Sequence, residues 1–210
     1  YYFAHHMSTI EGGMVSTDSD EVYQCLRMLR SHGMLREADD EGMKRKLEQQ
    51  HADLSPDFIF MYPSNNFRGT ELGGVLGLSQ LPRLEANNAL RNSNLRLFLE
   101  LINPQLYRVD YRLEGCSNYA FPLVLQKPDL ALRDRLESLM RKQRIEFRRG
   151  NAGGGNQMRQ PYLQGIIKDQ LYLEYPEVEH IHFFGYYIGN YPALQQSEVR
   201  KLCNLLNQLK

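Results

Sequence analysis

Apolar residues recur at helical spacing in the first half of the chain and predict most of its helices. Between positions 22 and 29 they keep to one helix face; Ser19 or Asp20 can cap this helix at its start, and Gly33 can close it. The strongly charged stretch 37–51 predicts a solvated helix or a loop. This part of the chain is therefore expected to be mainly helical.

Two further helices are predicted on either side of Pro82. Thr70 can cap the first, which carries its apolar residues on one face as far as Leu81, and the second keeps helical spacing from 84 to 102. Proline lacks a backbone N–H and clashes with the preceding turn, so Pro82 is expected to kink the run or divide it.

The pattern changes at Asn103 and Pro104, where helical spacing gives way to alternating apolar and polar residues. Asparagine followed by proline is typical of a loop, and a change of pattern at a loop is typical of a domain boundary. We therefore predict a first domain over residues 1–103 and a second over residues 104–210.

The second domain combines predicted strands and helices, as in an α/β fold. Helical spacing marks residues 132–140 and 199–209. Pro122 predicts an edge strand, because proline cannot donate to a central ladder. The stretches that predict strands are 107–113, 117–125, 144–150 and 180–192.

The chain starts with an aromatic stretch, residues 1–4, which predicts the end of a buried strand, and Gly12-Gly13 predicts a tight turn leading into a second strand. His5 and His6 lie between these features. Adjacent side chains of a strand point to opposite faces, so at most one imidazole addresses a given site. An imidazole titrates near neutral pH, which makes either histidine a candidate general base; two packed residues without chemistry are the alternative.

Charge and cysteine content argue against several classes of protein, namely those that bind nucleic acid or membranes and those built on disulfides. The 210 residues include 25 basic and 25 acidic side chains, so no excess positive charge is present to hold a nucleic acid or an anionic membrane surface. No apolar run reaches the length of a membrane span. Cys25, Cys116 and Cys203 are scattered and odd in number, which argues against a disulfide framework and favours a reducing, cytoplasmic location.

Four segments resemble, in the right order, the DegT/DnrJ/EryC1/StrS family of sugar aminotransferases, which depend on pyridoxal phosphate. They are FAHHMSTIEGGMV from residue 3, RSHGM from residue 30, NNFRGTELGGVLGLSQL from residue 65 and RQPYL from residue 159. In most members, a lysine six residues before the acidic residue of a Gly-(Glu/Asp)-Gly-Gly turn bonds to the cofactor. Counting back from Glu11 leads to His5, and the first lysine of the chain is Lys44. Ile10 stands where a glycine is common.

Histidine at the lysine position marks the dehydratase branch of the family, and the chain resembles its GDP-4-keto-6-deoxymannose 3-dehydratase subclass. The resemblance implies pyridoxal 5'-phosphate and pyridoxamine 5'-phosphate as cofactors, a nucleotide-diphosphate 4-keto-6-deoxy sugar as substrate and glutamate as amino donor. His5 would move a proton while the C3 hydroxyl leaves, with His6 as the alternative base. Another subclass carries an iron–sulfur cluster on closely spaced cysteines, which this sequence lacks.

The family's Gly-Tyr-Asn-x-Arg motif corresponds to Ser64–Arg68. Asn66 thereby inherits the contact to the cofactor phosphate of the neighbouring subunit, and Arg68 supplies a nearby charge. Glu11 and His32 lie near the site by family position. The residues alone would indicate only a turn followed by a surface cation.

A second group of candidates lies in the glycine-rich stretch 148–162. Arg149, Asn151 and Arg159 are candidates for binding the diphosphate or the sugar, because loop N–H groups and guanidinium groups suit phosphate; a flexible loop with solvated arginines is the alternative. The pair His180 and His182 has no evident third ligand, so we expect it to pack and predict no metal site.

The resemblance implies the C-terminal part of a fold type I enzyme: a remnant of the large cofactor-binding domain over 1–103 and a small α/β domain over 104–210. Because the chain opens on Tyr1 and the upstream part of the site is missing from it, the 210 residues alone are expected to bind the cofactor weakly, to be inactive and to self-associate as a homodimer or larger assembly. The alternatives are a nucleotide-sugar aminotransferase, which would need the missing lysine, and a non-catalytic interaction domain.

Overall fold

In the computed structural model, which describes residues 1–2, 5–150 and 154–209, the chain divides into two compact units, Tyr1–Pro82 and Arg83–Lys210. In chain order the helices are α1 (Asp20–Leu29), α2 (Glu41–Gln50), α3 (Glu71–Gln80), α4 (Leu84–Leu101), α5 (Leu130–Lys142), α6 (Pro176–Phe184) and α7 (Gln196–Leu206). The strands are β1 (Ala120–Val124), β2 (Phe147–Arg149) and β3 (Gly185–Gly189). No helix within the described part of the chain is both long and apolar enough to cross a membrane.

The first unit is built from α1, α2 and α3. Ser19 caps α1 by accepting a hydrogen bond from the Val22 N–H, and Asp40 caps α2 in the same way from the Met43 N–H. The charged stretch that could have been a helix or a loop is therefore a helix. A small core joins α1 to α2 and to the segments that follow each of them; its buried residues are Met28, Leu35, Ala38 and Ile59, and Met43 and Leu47 of α2 pack against it.

The predicted strand–turn–strand unit at the start of the chain is not formed by the described residues; Phe3 and Ala4, the second half of its first strand, lie outside them. Tyr1 and Tyr2 are about 40% exposed, and residues 5–15 form bends and irregular structure. A strand needs a neighbouring ladder for its backbone groups. Here the Ser8 backbone instead bonds to the side-chain amide of Gln80 in α3, which both donates to and accepts from it.

The second unit contains an antiparallel sheet of strand order β1-β3-β2. Pro122 lies in β1, an edge strand, as its missing N–H predicted. In the register, Phe121 of β1 and Phe147 of β2 both lie opposite Ile188. Side chains of α4, α5 and α7 join the sheet in one hydrophobic core, in which Phe98 stacks on Phe121 with 4.6 Å between ring centroids.

Two predicted strands of the second unit are wrong in whole or in part. In 107–113, Tyr107 alone pairs, through an isolated bridge to Leu125; its ring is buried, and its hydroxyl donates to the Leu206 carbonyl at 3.0 Å. In 180–192, the first five residues belong to α6 and the strand begins only at Gly185. A short apolar run does not distinguish a buried helix from a strand by spacing alone.

The compact units divide before α4, whereas the sequence places its domain boundary after that helix. The reason is the packing of α4: Leu95 and Phe98 are buried in the core of the second unit, and the helix packs along α7. Pro82 lies in the short 3-10 turn that separates α3 from α4, as predicted. The domain boundary after Asn103 stays a prediction.

Candidate functional site

The segment that carries Asn66 lies antiparallel to the chain that follows α1, with Asn66 opposite Ser31. The bonds of this pairing are His32 N–H to Asn65 C=O at 2.9 Å, Phe67 N–H to Arg30 C=O at 2.7 Å and Ser64 Oγ to Leu29 C=O at 2.6 Å. The position of Asn66 is therefore fixed by the backbone of a segment more than 30 residues earlier in the sequence.

Gly33 allows the two segments of this pairing to meet. Its φ is +75°, and a Cβ at this position would lie 2.0 Å from the Tyr62 carbonyl oxygen. His32 also has a left-handed backbone, with φ +59°. The segment RSHGM thus contributes a backbone shape, and glycine is the residue type that fits it.

Asn66 and Arg68 form a small donor pair on the surface of the first unit. The backbone N–H and the Nε of Arg68 both donate to Asn66 Oδ1, at 3.1 and 3.2 Å. The Asn66 carbonyl oxygen is thus engaged by Arg68. Within the described chain, no hydrogen bond engages the Asn66 amide nitrogen or the terminal nitrogens of Arg68. Both groups are donors suited to phosphate oxygens.

His5 and His6 lie in a bend of the chain, residues 5–7, rather than in a strand. The two residues that follow this bend, Ser8 and Thr9, contact α3. His5 is exposed; its backbone N–H donates to the Tyr2 carbonyl at 3.0 Å, and its ring meets the Tyr2 ring edge-on with 6.1 Å between centroids. His6 is half-buried. The argument that the two imidazoles point to opposite faces of a strand therefore does not apply.

Helix α3 connects the two candidate groups of the first unit. It begins just after Arg68 and ends at Gln80, whose amide holds the Ser8 backbone. The segment after the histidines packs on this helix, since a Cβ at Gly77 would lie in ordinary van der Waals contact with Cγ2 of Thr9, at 3.4 Å. The segment after the histidines therefore contacts the end of α3, and the segment that carries Asn66 and Arg68 leads directly into its start.

The turn after the histidines contains two residues with positive φ. Ile10 has φ +74° and Gly12 has φ +140°, both in the region that favours glycine. Glu11 is exposed, and its carbonyl oxygen accepts a hydrogen bond from Thr9 Oγ1 at 2.8 Å. Isoleucine at position 10 therefore adopts a conformation that costs free energy for a β-branched side chain.

The candidates Arg149 and Arg159 lie in the second unit, and Asn151 lies outside the described residues. Arg149 ends β2, with Nη1 3.3 Å from Oε1 of Glu137. Arg159 donates through Nε to both carboxylate oxygens of Glu179, at 2.8 and 3.0 Å, and its guanidinium lies 3.8 Å from the centroid of Tyr172. Arg159 thus already has a carboxylate partner within the unit.

The glycine-rich loop is held to α6 by a network of hydrogen bonds from the buried Asn156 to two half-buried side chains. Asn156, which is 1% exposed, donates its backbone N–H to His182 Nδ1 at 3.0 Å and its side-chain amide to Glu179 at 2.9 Å. His180 is engaged separately, with Nε2 2.7 Å from the Leu125 carbonyl oxygen. His180 and His182 both lie on α6 and have different partners, so packing accounts for both.

Acidification is expected to weaken this network through His182. Burial lowers the pKa of His182, partly offset by the charge of Glu179, whereas the pKa of Glu179 is lowered chiefly by its bond from Arg159. The unfolded chain takes up the histidine proton near pH 6.5 and the folded chain only at lower pH, so stability is lost as pH falls through 6.5. The depressed Glu179 pKa adds a loss only below about pH 4.3.

The measurement is urea unfolding of the chain between pH 7.5 and 5.5, followed by circular dichroism. The midpoint should fall across this range, and the fall should be smaller in His182→Asn, whose side-chain oxygen can still accept from the Asn156 N–H but cannot be protonated. Equal pH dependence in the two proteins would contradict the role assigned to His182.

Comparison with known proteins finds a family model and several relatives that match nearly the whole chain. The model of the DegT/DnrJ/EryC1/StrS aminotransferase family matches residues 1–207. A GDP-4-keto-6-deoxy-D-mannose 3-dehydratase from Yersinia pseudotuberculosis is 28% identical over 210 residues, which cover 99% of this chain and 52% of the relative. The chain therefore spans about half the length of this curated relative.

Solved structures show the same fold. The Escherichia coli GDP-4-keto-6-deoxy-D-mannose-3-dehydratase with bound hydrated PLP matches with a TM-score of 0.72 at 23% identity, over 98% of this chain and 52% of that one. A GDP-4-keto-6-deoxymannose-3-dehydratase with a trapped PLP-glutamate geminal diamine matches with a TM-score of 0.70 at 23% identity, over 98% and 53%. The expected α/β fold of the type I transferases is confirmed. Because the family model extends over nearly the whole sequence, the chain belongs to the DegT/DnrJ/EryC1/StrS aminotransferase family.

Proposed function

We propose that the protein containing this chain removes the C3 hydroxyl from a nucleotide-diphosphate 4-keto-6-deoxy sugar, GDP-4-keto-6-deoxymannose being the favoured substrate. The observation that carries the proposal is His5 at the position where the family's aminotransferases have a lysine. The relatives compared above are named as 3-dehydratases acting on the GDP sugar, which supports the same reaction.

The first lysine of the chain does not replace the missing anchor. Lys44 lies in the first turn of α2 and forms an ion pair with Glu41 of the same helix. A primary amine is required for a covalent link to an aldehyde, and an imidazole cannot supply it. His5, with His6 as the alternative, is thus assigned the transfer of a proton, a task for which imidazole is suited near neutral pH.

Pyridoxal 5'-phosphate and pyridoxamine 5'-phosphate fit the donor groups of the first unit. Asn66 offers its amide N–H groups and Arg68 its terminal guanidinium N–H groups, and both are exposed. Such donors bind phosphate oxygens, with the arginine adding charge. When bound, the cofactor supplies the electron sink for loss of the hydroxyl, and the protein contributes binding, orientation and the base.

The second unit is assigned the substrate. Arg149, Asn151 and Arg159 remain the candidates for the sugar diphosphate, and among them Arg149 is the more available, since Arg159 is bound bidentately to Glu179. Glutamate is proposed as the amino donor that recharges the cofactor.

Self-association is proposed through the apolar surface of α3. Leu72, Val75 and Leu78 of this helix are 76%, 65% and 68% exposed. Water-exposed apolar surface of this kind favours association with a second protein surface. A homodimer in the cytoplasm is the arrangement that we propose.

The test is an assay of the protein containing this chain with pyridoxal 5'-phosphate, glutamate and GDP-4-keto-6-deoxymannose, with the nucleotide sugar followed by mass spectrometry and NMR. A 3-deoxy sugar, together with 2-oxoglutarate from glutamate, is the expected result. A 4-amino sugar would show that the protein is an aminotransferase and would overturn the proposal.

A further inference from the structure

A cavity of about 530 Å³ opens in the second unit beside α5 and β2. Its volume is within the range of small-molecule sites. Charged side chains dominate its lining, which consists of Glu137, Arg141, Ile145, Glu146, Phe147 and Arg149.

A buried carboxylate organises the cavity. Glu137 is 8% exposed and accepts a hydrogen bond at 2.9 Å from the hydroxyl of Tyr186, a residue that is itself fully buried. Arg141 Nη2 lies 2.6 Å from one carboxylate oxygen, and Arg149 Nη1 lies 3.3 Å from the other. Glu137 therefore holds two guanidinium groups in fixed positions, one from α5 and one from β2.

The two arginines retain capacity for a ligand. Each guanidinium has five N–H donors, and the bonds to Glu137 use one nitrogen of each. The side chains of Arg141 and Arg149 are 65% and 49% exposed, and Arg141 lies over the ring of Phe147 at 5.5 Å, which limits its rotation.

The charge of the cavity favours an anion. Two guanidinium groups share the single carboxylate of Glu137, so one positive charge is left over. Glu146, the other acidic residue of the lining, lies at 88% exposure and is paired with Arg148 at 3.7 Å. Guanidinium groups bind phosphate oxygens in a bidentate manner, and two of them side by side suit a diphosphate better than a single phosphate.

We propose that this cavity binds the diphosphate of the nucleotide sugar, with Arg141 and Arg149 as its ligands and Glu137 and Tyr186 as positioning residues. The inference rests on the proposed function, because that function supplies the diphosphate. It adds Arg141, which the sequence does not single out, and it assigns Arg149 to the diphosphate rather than to the sugar.

The test is isothermal titration of the 210-residue chain with GDP, with inorganic pyrophosphate and with guanosine. GDP and pyrophosphate should bind, and guanosine should not. Arg141→Gln and Arg149→Gln should each weaken the binding of both anions by about tenfold or more, as expected for loss of a charge-assisted contact. Arg112→Gln is the matched control, because Arg112 is 86% exposed and does not line the cavity, and its affinity should equal that of the unchanged chain.

Tyr186→Phe tests the positioning role. It removes the hydroxyl bonded to Glu137 but keeps the aromatic ring in the core, and it should weaken pyrophosphate binding by a few fold. In the Arg149→Gln background the same substitution should weaken binding by a smaller factor, since part of its effect passes through Arg149. A purely structural role would give equal factors in the two backgrounds.

The outcomes separate this inference from the proposed function. Absence of pyrophosphate binding, or affinities unchanged in both Arg141→Gln and Arg149→Gln, would overturn the cavity as the diphosphate site even where the dehydration assay succeeds. Binding that depends on both arginines would uphold the cavity even where that assay yields a 4-amino sugar, since an aminotransferase of this family also takes a nucleotide-diphosphate sugar.

Discussion

Replacing Gly33 with alanine is expected to destabilise the first unit by roughly 3 kcal/mol or more, because the substitution combines backbone strain with a direct steric clash. The φ of +75° disfavours any side chain, and the new Cβ would lie 2.0 Å from the carbonyl oxygen of Tyr62. Backbone atoms cannot rotate away as the end of a long side chain can. The loss is measured as the shift in the urea unfolding midpoint.

Hydrogen bonds on both sides of Gly33 prevent the backbone from relaxing. The Gly33 carbonyl accepts from the Met61 N–H at 2.8 Å, and the Leu35 N–H donates to the Ile59 carbonyl at 2.9 Å. Moving the two segments apart to fit a methyl group would break these bonds and displace Asn66, which lies further along the same pairing. Weaker cofactor binding is therefore expected together with the loss of stability.

Gly74→Ala is the matched control for this prediction. Gly74 lies inside α3, and a Cβ there meets nothing within 4 Å. Alanine is favoured over glycine in a helix by about 1 kcal/mol, so this variant should be slightly more stable than the unchanged chain. A Gly33→Ala protein as stable as Gly74→Ala would show that the two segments are not packed as closely as described.

The helix starts, helix breaks and edge strands that depend on a single residue were predictable from the sequence. Ser19 caps α1 because its hydroxyl reaches an N–H three residues ahead, and Pro82 separates α3 from α4 because its ring cannot continue a helix. Pro122 likewise identified an edge strand. Each of these effects depends on one residue and its immediate neighbours, so no knowledge of the tertiary fold is needed.

Elements that depend on distant partners could not be predicted in this way. The alternation of apolar and polar residues in 107–113 is typical of a strand. Within the described structure, however, Tyr107 is the one residue of this stretch that pairs with another segment. Whether a segment pairs depends on which backbone lies beside it, and spacing carries no such information. The antiparallel contact between Ser31 and Asn66 is a case in which only the resemblance connected the two segments.

The family pattern points to candidate residues of the first unit, whose roles stay predictions, and does not point to the carboxylate of the cavity. The pattern includes His5, Asn66 and Arg68 and omits Glu137, although a weak signal for Glu137 was present. It follows Leu136 on α5 and precedes Met140 by less than one turn, so a carboxylate was placed against a buried helix face. An acidic residue at such a position needs partners, and these come from β2 and β3.

Replacing His5 with asparagine is expected to reduce the dehydration rate by about 10² to 10⁴, the usual contribution of a general base, with little change in substrate binding. Asparagine is similar in size and keeps a hydrogen-bonding group, but it cannot take up and release a proton near neutral pH. The first unit should keep its fold, because the bonds between the Ser8 backbone and the Gln80 side chain do not involve residue 5 and are kept in the variant. The rate is measured under saturating sugar and glutamate in the protein containing this chain.

His6→Asn and His51→Asn complete the comparison. His51 ends α2 and belongs to no candidate group, so its substitution should leave the rate unchanged and control for the loss of any one imidazole. His6→Asn should reduce the rate by less than about tenfold, since a neighbouring imidazole influences the base only through its charge and packing. A large loss in His6→Asn with an active His5→Asn would transfer the role of base to His6. Full activity in both variants would contradict proton transfer by this segment, since then neither imidazole would be needed for departure of the C3 hydroxyl.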